Sequence, residues 1–401
     1  MGTTGFWSYF SSVVNTIPLK NLENKIIFVD IVLYIYKYAI GIRKSGRDII
    51  LQNGKNNTHL HAIYKIIKQL LDLEILPVCV FDGKAPDIKE ETIDKRKEIT
   101  ENSLDKCKKL KDQNVEETND EYIKYFKRSF VLTREMIKEC KEFLDIIGIP
   151  YVESLGEADP QCAALSYYYK NYSIGTLSED SDIILNGGSI LLRDLNIKDK
   201  TISMIEEKSI MDLLQEKTDK LTDEYGLEKK TVTHEVLFNF CHILGNDYCN
   251  GIRCSGGTNR DELFNMFIMC NFDMYTFVNK IFQLNKESDK ILYYISEDFL
   301  LKWLLSKKNF EDTCIIHPEQ INIFPKILNK QKLNIFLKKN EFRNDMIIRL
   351  INSVEKIYFN HSYNSYIYKN IINNDNYKTL VNTDDEWHVV INKKKKMILC
   401  N

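Results

Sequence analysis

Residues 176–188 read TLSEDSDIILNGG, which places Glu179, Asp180 and Asp182 within four positions, ahead of an apolar run and with no cation among them. Two unit charges about 4 Å apart repel by ~1 kcal/mol in water and by ~4 kcal/mol near a protein surface. A helix cap accounts for one acid at such a point, because an Asp or Ser side chain satisfies orphan N–H groups. Three acids ask for more, although a solvated turn explains this segment taken alone. Other acids occupy similar places. Asp30 closes KIIFVD, Asp82 follows ILPVCVF, and Glu157 and Asp159 lie in GEADPQCAAL. Singly, Asp30 reads as a cap and Asp82-Gly83 as an ordinary turn. Together they describe a shared acidic pocket, which bound divalent cations would stabilise. Oxygen-rich sites suit Mg²⁺ or Mn²⁺ with several waters retained.

Such a pocket requires elements that bring the acids to one place. KIIFVD (25–30) reads as a strand followed by a helix to about Ile42. THLHAIYKIIKQLLDLE (58–74) has apolar residues at helical spacing, and ILPVCVFDG (75–83) is a strand ending in a turn. YVES (151–154) is short and extended, GEADPQCAALSYYYK is a helix with Pro160 in its first turn, and NYSIGTLSED and SILLRDL are further strands. Strands alternating with helices predict an α/β fold with a mainly parallel, twisted central sheet flanked by helices. In open parallel sheets, sites form outside the carboxyl ends of the strands, and each acid lies at such an end.

The spacing further predicts a charge-dense insertion over 84–135 whose helix pattern is broken. A 50-residue excursion inside an α/β core usually has a job. Residues 201–356 read as all-helical, and 357–401 as a polar, partly disordered tail carrying KKKK. The division expected is 1–83, 84–135, 136–200, 201–356 and 357–401.

Of the 401 residues 44% are hydrophobic and 28% charged, which suits a folded globular chain. Formal net charge is −2, so any nucleic-acid contact must rest on local Lys and Arg. Ten cysteines without a CxxC pair read as reduced intracellular thiols. MGTTGFWSYF has neither a signal-peptide pattern nor a myristoylation site, and the run IVLYIYKYAIGI is too short to span a bilayer. An intracellular protein is expected.

With these residues in hand, the sequence resembles the structure-specific 5′ nucleases of the flap endonuclease and XPG–Rad2 family over roughly residues 1–356. MGTTGF is similar to the family's glycine-bearing N-terminus, and FVDIVLYIYKYAIGIR to its first acidic strand and helix. VFDGKAPDIKEETIDKRKE resembles its second acid and the base of a helical arch. GIPYVESLGEADPQCAAL and TLSEDSDIILNGG look like its internal motifs, and FCHILGNDYCNGIR like its last acidic element, adding Asp247. NKQKLNIFLKKNEFRNDMIIRLINSVEK resembles its closing helices.

The resemblance implies a 5′ nuclease core of the PIN-like type, with the arch inserted and a C-terminal helix-hairpin-helix region. It implies metal ligation by Asp30, Asp82, Glu157, Asp159, Asp180, Asp182 and Asp247, shared between two Mg²⁺ ions. Lys89 and Arg96 fall on the arch cations that contact the scissile phosphate, and Tyr36 on the aromatic that stacks on a base near the cut. Gly2, Arg43, Lys65, Lys68, Gly256 and Arg260 are the expected DNA contacts. The implied activity is structure-specific cleavage of 5′ flaps with 5′–3′ exonuclease activity, in replication and repair. A purely exonucleolytic relative and a non-catalytic RNA-regulatory scaffold are the alternatives, the second expected to lose acids that are intact here.

The pattern departs from the family in three places. Cys254 stands where the family has a hairpin glycine, and Thr258-Asn259 where it has a basic pair, so a K⁺ ion expected at that hairpin would be held weakly. Asp159 replaces the commoner glutamate. No clamp-binding box is present, so a monomer acting on branched or flapped DNA without a recognisable sliding-clamp contact is expected. Its place would be the nucleus, or a cytoplasmic replication site if the source is a large DNA virus.

Overall fold

A computed structural model describes residues 2–359, apart from Gly256, Thr258 and Ile327. Seven strands form the main sheet: β1 (Asn15–Pro18), β2 (Ile26–Asp30), β3 (Leu76–Phe81), β4 (Tyr151–Glu153), β5 (Ser173–Leu177), β6 (Ile190–Asn196) and β7 (Thr201–Glu206). Their order is β1-β7-β6-β5-β2-β3-β4. β6, β5, β2, β3 and β4 run parallel, while β7 and β1 add antiparallel at one side. Every residue of β2 and β3 is buried, as expected of central parallel strands covered on both faces. From β2 the chain builds outward to β3 and β4, then returns to lay β5 on the other flank of β2. This reversal opens a crevice at the carboxyl ends of β2 and β5.

The insertion differs from its sequence reading. It holds one continuous helix, Glu90–Asp112, followed by a second, Asp120–Arg128. Only Ser103 and Cys107 of the long helix are buried, which is why no apolar stripe announced it. Neither Gly nor Pro interrupts it. Lys95–Glu91, Lys97–Asp94 and Lys108–Asp105 pair along its surface, and Glu90 and Glu91 in the first turn and Lys109 and Lys111 in the last suit the helix dipole.

The second helix is pinned to the core by Arg43. This cation is buried, its guanidinium lying 3.7 Å from the Phe126 ring centroid and 5.5 Å from that of Phe130. Asp48 pairs with it at 3.1 Å. Arg43, one of the expected DNA contacts, thus lies as a staple under the arch.

Beyond β7 the chain is mostly helical, His234–Leu244, Arg260–Met269 and Phe299–Glu311 being among its helices. The all-helical reading of 201–356 missed β7 itself and a small ribbon of β8 (Arg253–Cys254) with β9 (Tyr293–Tyr294). The two-residue strands of the ribbon carry too few residues to declare a period of two, and the burial of β7 does not alternate residue by residue. Asn344–Phe359 closes the chain back onto Thr58–Asp72: Tyr64 Oη donates to the Met346 carbonyl (2.9 Å) and Ser353 Oγ to Asp72. The expected polar tail lies outside the described residues from 360 onward. Among the described residues eight cysteines are free thiols, all but Cys254 buried. Among the described residues no helix is long and apolar enough to cross a membrane.

A buried polar network ties the helical region together. His242 Nδ1 donates to the Phe238 carbonyl (2.8 Å), leaving Nε2 to accept from Ser306 Oγ (2.7 Å) and Asn246 Nδ2 (3.1 Å). Burial pushes the His242 imidazole down to about 4 from its ordinary 6.5, with the Phe238 carbonyl opposing only in part.

Two outcomes follow. As pH falls below 6.5 the unfolded chain binds a proton that folded His242 refuses, so stability is lost between pH 6.5 and about 4, by up to roughly 3 kcal/mol. Denaturant midpoints at pH 7 and pH 5 should show the loss. His242→Gln should flatten the slope, and an unchanged slope would exclude His242 as its source. Arg43→Ala should free the second arch helix and speed limited proteolysis within residues 113–133 several-fold. Cleavage at the wild-type rate would show that the arch does not depend on this staple.

Candidate active site

Each acid reaches the crevice by a local rule. Asp30 ends β2 and starts the helix Ile31–Ile42, where its Oδ1 accepts from Leu33 N (3.5 Å). Asp82 follows β3 and accepts from Ala158 N (2.9 Å), the first residue of the helix Ala158–Tyr168. Glu157 is the residue just before that helix, and Asp159 lies in its first turn. After β5, the turn at Asp180 is closed by Asp182 N donating to Asp180 Oδ1 (3.0 Å). Asp247 lies in the loop after His234–Leu244, shaped by Asn246 Oδ1, which accepts from Tyr248 N and Cys249 N at 3.0 Å each.

Lys89 stands among these acids. It is buried and donates to Glu157 Oε1 at 2.7 Å. Burial alone would lower its pKa, but the surrounding Tyr248, Glu157, Asp182 and Asp159 more than offset that and raise it, so it remains an ammonium. Arg96, about two turns further along on the long arch helix, donates to Asp247 Oδ2 at 2.8 Å. Both expected arch cations thus meet expected metal-holding acids.

Even so, the negative charge is under-compensated. Burial, then the charges of Asp82 and Asp180, raise Asp30 well above the carboxylate range. Burial with Asp180 and Asp30 raises Asp159, and burial with Asp180 raises Asp182 against the pull of Lys89. Both carboxylate oxygens of Asp182 and one of Asp159 are buried without a hydrogen-bond donor. Unpartnered buried carboxylate oxygens are costly, and a hard divalent cation is the ligand class that suits an all-oxygen set. Among the described residues no three acids form a ready-made cage.

Several residues here escaped the sequence reading. Ser178 Oγ donates to Asp30 Oδ2 (3.0 Å) and accepts from Asp180 N (3.1 Å). Ser181 Oγ accepts from Thr3 N (2.8 Å), and Thr92 Oγ1 donates to the Asp247 carbonyl (3.0 Å). Tyr248 Oη donates to Glu157 Oε2 (3.0 Å). The serines alternate with acids in SEDSD, a signal that was available; Thr92 and Tyr248 offered none. Glu179, at the head of that run, turns away from the crevice. It accepts from Tyr34 Oη (3.3 Å) and pairs with Lys37 and Arg193.

The other expected contacts are placed as follows. Gly2, at φ +82°, lies against the acids, where a Cβ would fall 2.2 Å from Ser181 Oγ and 2.4 Å from Asp180 Oδ1. It therefore lines the acid pocket. Tyr36 is half-buried; its Oη accepts from Leu132 N (3.2 Å) and its ring meets Phe130 edge-on. Lys65 is exposed on Thr58–Asp72, and Lys68 is ion-paired with Asp72. Arg260 is half-buried and folds back over Gly5, where a Cβ would come within 2.1 Å of its Nη2. Gly256 and Thr258 lie outside the described residues. Cys254 is extended and pairs with Tyr293 in the small ribbon, and it is not among the residues with positive φ, so the backbone here does not demand glycine.

Comparison with known proteins agrees with this geometry. Residues 1–103 match the XPG N-terminal domain and residues 148–247 the XPG I-region. The chain is 30% identical over 305 residues to flap endonuclease 1 of Glossina morsitans morsitans, covering 76% of this chain and 72% of that one. It is 36% identical over 250 residues to flap endonuclease 1 of Drosophila ananassae, covering 62% and 60%. Among solved structures, the catalytic core of Rad2 in complex with a DNA substrate superposes at TM-score 0.57 with 23% identity, covering 87% of this chain and all of that one. Flap endonuclease-1 from Methanococcus jannaschii superposes at TM-score 0.56 with 20% identity, over 86% and 98%. At such identities the structures speak for the fold alone. Taken with the sequence relatives, they show that the chain belongs to the XPG and flap endonuclease family of structure-specific 5′ nucleases.

Proposed function

We propose that the chain cleaves branched or flapped DNA at its 5′ single-stranded arm, with Mg²⁺ or Mn²⁺ held by Asp30, Asp82, Glu157, Asp159, Asp180, Asp182 and Asp247. The observation that carries this reading is the pairing of Lys89 with Glu157 and of Arg96 with Asp247, in a cluster where buried oxygens of Asp182 and Asp159 have no hydrogen-bond partner. A nuclease must bring a negatively charged phosphodiester into a negatively charged pocket, which needs cations on both sides of the phosphate.

When bound, two metal ions supply an activated water and a clamp on the attacking and leaving oxygens of an in-line displacement. The protein's own part is electrostatic and positional. Lys89 and Arg96 add positive charge where the transition state gains negative charge. The arch carrying them stands over the crevice, and the staple at Arg43 keeps its second helix in place. Tyr36, packed on Phe130 beneath the arch, is the aromatic nearest in role to a base-stacking platform. Lys65 and Lys68 lie on one helix face suited to a duplex backbone. A monomer without a sliding-clamp contact, a weak K⁺ site at the hairpin and the five-part division of the chain belong to the same proposal.

Labelled flap, nicked, gapped and single-stranded DNA, cut in Mg²⁺, test it. Flap substrates should be cut fastest, near the junction, and excess EDTA should stop the reaction. Equal rates on junction-free single strands would refute structure specificity. Lys89→Ala and Arg96→Ala should each slow single-turnover cleavage by roughly 100-fold or more, on the scale of a lost transition-state contact, with smaller losses in binding. Equal losses in both would reduce these residues to general attraction.

Asp182→Asn separates the metal from the chemistry. A carboxyl whose folded pKa is raised favours the folded state at low pH and loses that contribution as pH rises through the folded value. Metal-free Asp182→Asn should therefore be more stable than wild type at pH 7, the gap closing as pH falls towards 4. Mg²⁺ should raise the wild-type melting temperature and leave the variant nearly unmoved. A variant that cuts DNA and gains stability from Mg²⁺ like wild type would remove Asp182 from the site.

A further inference from the structure

We propose that Tyr248 is a positioning residue, the fixed partner of Glu157 that holds its carboxylate in place while Lys89 gives way to a divalent cation. The inference rests on the reading of Glu157 as a metal-holding acid. Glu157 makes two different bonds with its two oxygens: Lys89 Nζ donates to Oε1 at 2.7 Å, and Tyr248 Oη donates to Oε2 at 3.0 Å. The same tyrosine also seats Lys89, whose ammonium lies 4.5 Å from the ring centroid.

These two donors differ in what they can tolerate. An ammonium and a divalent cation on neighbouring positions repel twice as strongly as two unit charges at the same separation. Lys89 therefore cannot keep Oε1 once a cation is held there. A neutral hydroxyl carries no such conflict, and an ionised carboxylate has about four lone-pair sites to share. Glu157 can thus exchange Lys89 for a cation without losing its orientation, because Oε2 stays bonded throughout. Lys89, once released, is free to meet the phosphate.

Tyr248 is itself well held. It is buried, its N–H donates to Asn246 Oδ1 at 3.0 Å, and its ring meets Phe310 at 5.3 Å and 64°. Asn246 is anchored by His242, and His242 by Ser306. The clamp on Glu157 is thereby built on the rigid helical region, while Lys89 belongs to the base of the arch. Fixed and exchangeable partners come from different parts of the fold, as an exchange of this kind requires.

Calorimetric titration of Mg²⁺ into the full chain without DNA tests the inference. Tyr248→Phe removes the hydroxyl and keeps the ring under Lys89, and should weaken Mg²⁺ affinity about 10-fold, the lower end of what the loss of a supporting hydrogen bond costs a metal site. Lys89→Met should act in the opposite direction and tighten Mg²⁺ binding. Metal-free melting temperatures of each variant separate this from a general loss of structure. Wild-type Mg²⁺ affinity in Tyr248→Phe would overturn the inference. Glu157→Gln tells apart two failures: if it weakens Mg²⁺ binding while Tyr248→Phe does not, only the role of Tyr248 falls. If Glu157→Gln also binds like wild type, Glu157 is not a metal ligand and the underlying reading falls with it.

Discussion

The structure is organised around a surplus of negative charge at the carboxyl ends of four parallel strands. Burial and mutual repulsion both act against the ionised forms of Asp30, Asp159 and Asp182. A fold can hold such a cluster only by surrounding it with elements rigid enough to resist it. The fully buried strands β2 and β3 supply that frame, and short hydrogen bonds from backbone N–H groups and serines orient the individual carboxylates. Most of the residual charge faces one buried lysine. The arrangement sacrifices stability at the place where function needs a strong field.

Three separate parts of the chain are fastened to that cluster. The N-terminal segment reaches it through Gly2 and the bond from Thr3 to Ser181. The arch reaches it through Lys89, Thr92 and Arg96. The helical region reaches it through Asp247 and Tyr248. A site assembled from such distant pieces is complete only in the folded chain, so its geometry reports the packing of all three. The buried His242 network, which shapes the Asp247 loop from behind, is an example of structure outside the acid cluster that decides where one of the acids lies.

Arg43 and Glu179 illustrate how charge is spent on architecture next to a charged site. Arg43 lies on Phe126 and Phe130 and pairs with Asp48, tying the arch to the helix that starts at Asp30. Glu179 collects Tyr34, Lys37 and Arg193, tying the same helix to the Asp180 turn. Each looks functional by type and position. Each is consumed by neighbours that come from elsewhere in the chain.

What the sequence determined by itself was whatever depends on local pattern. Buried parallel strands are continuous apolar runs, so β2 and β3 and the acids that end them could be read directly, and with them the oxygen-rich character of the site. The family resemblance added Asp247, Lys89 and Arg96. The tertiary structure decided the rest, because the deciding partners are distant in the chain. The long arch helix buries almost nothing, so no apolar stripe could reveal it; a short edge strand such as β1 exists only because a neighbour offers an edge. Arg43 is a staple only because Phe126 lies 83 positions later, and Tyr248 becomes part of the site only because Glu157, 91 positions earlier, is folded against it. Residue type and spacing can say which chemistry a chain is able to perform, but burial and hydrogen-bond partners, which decide which of the candidates performs it, are properties of contacts between segments.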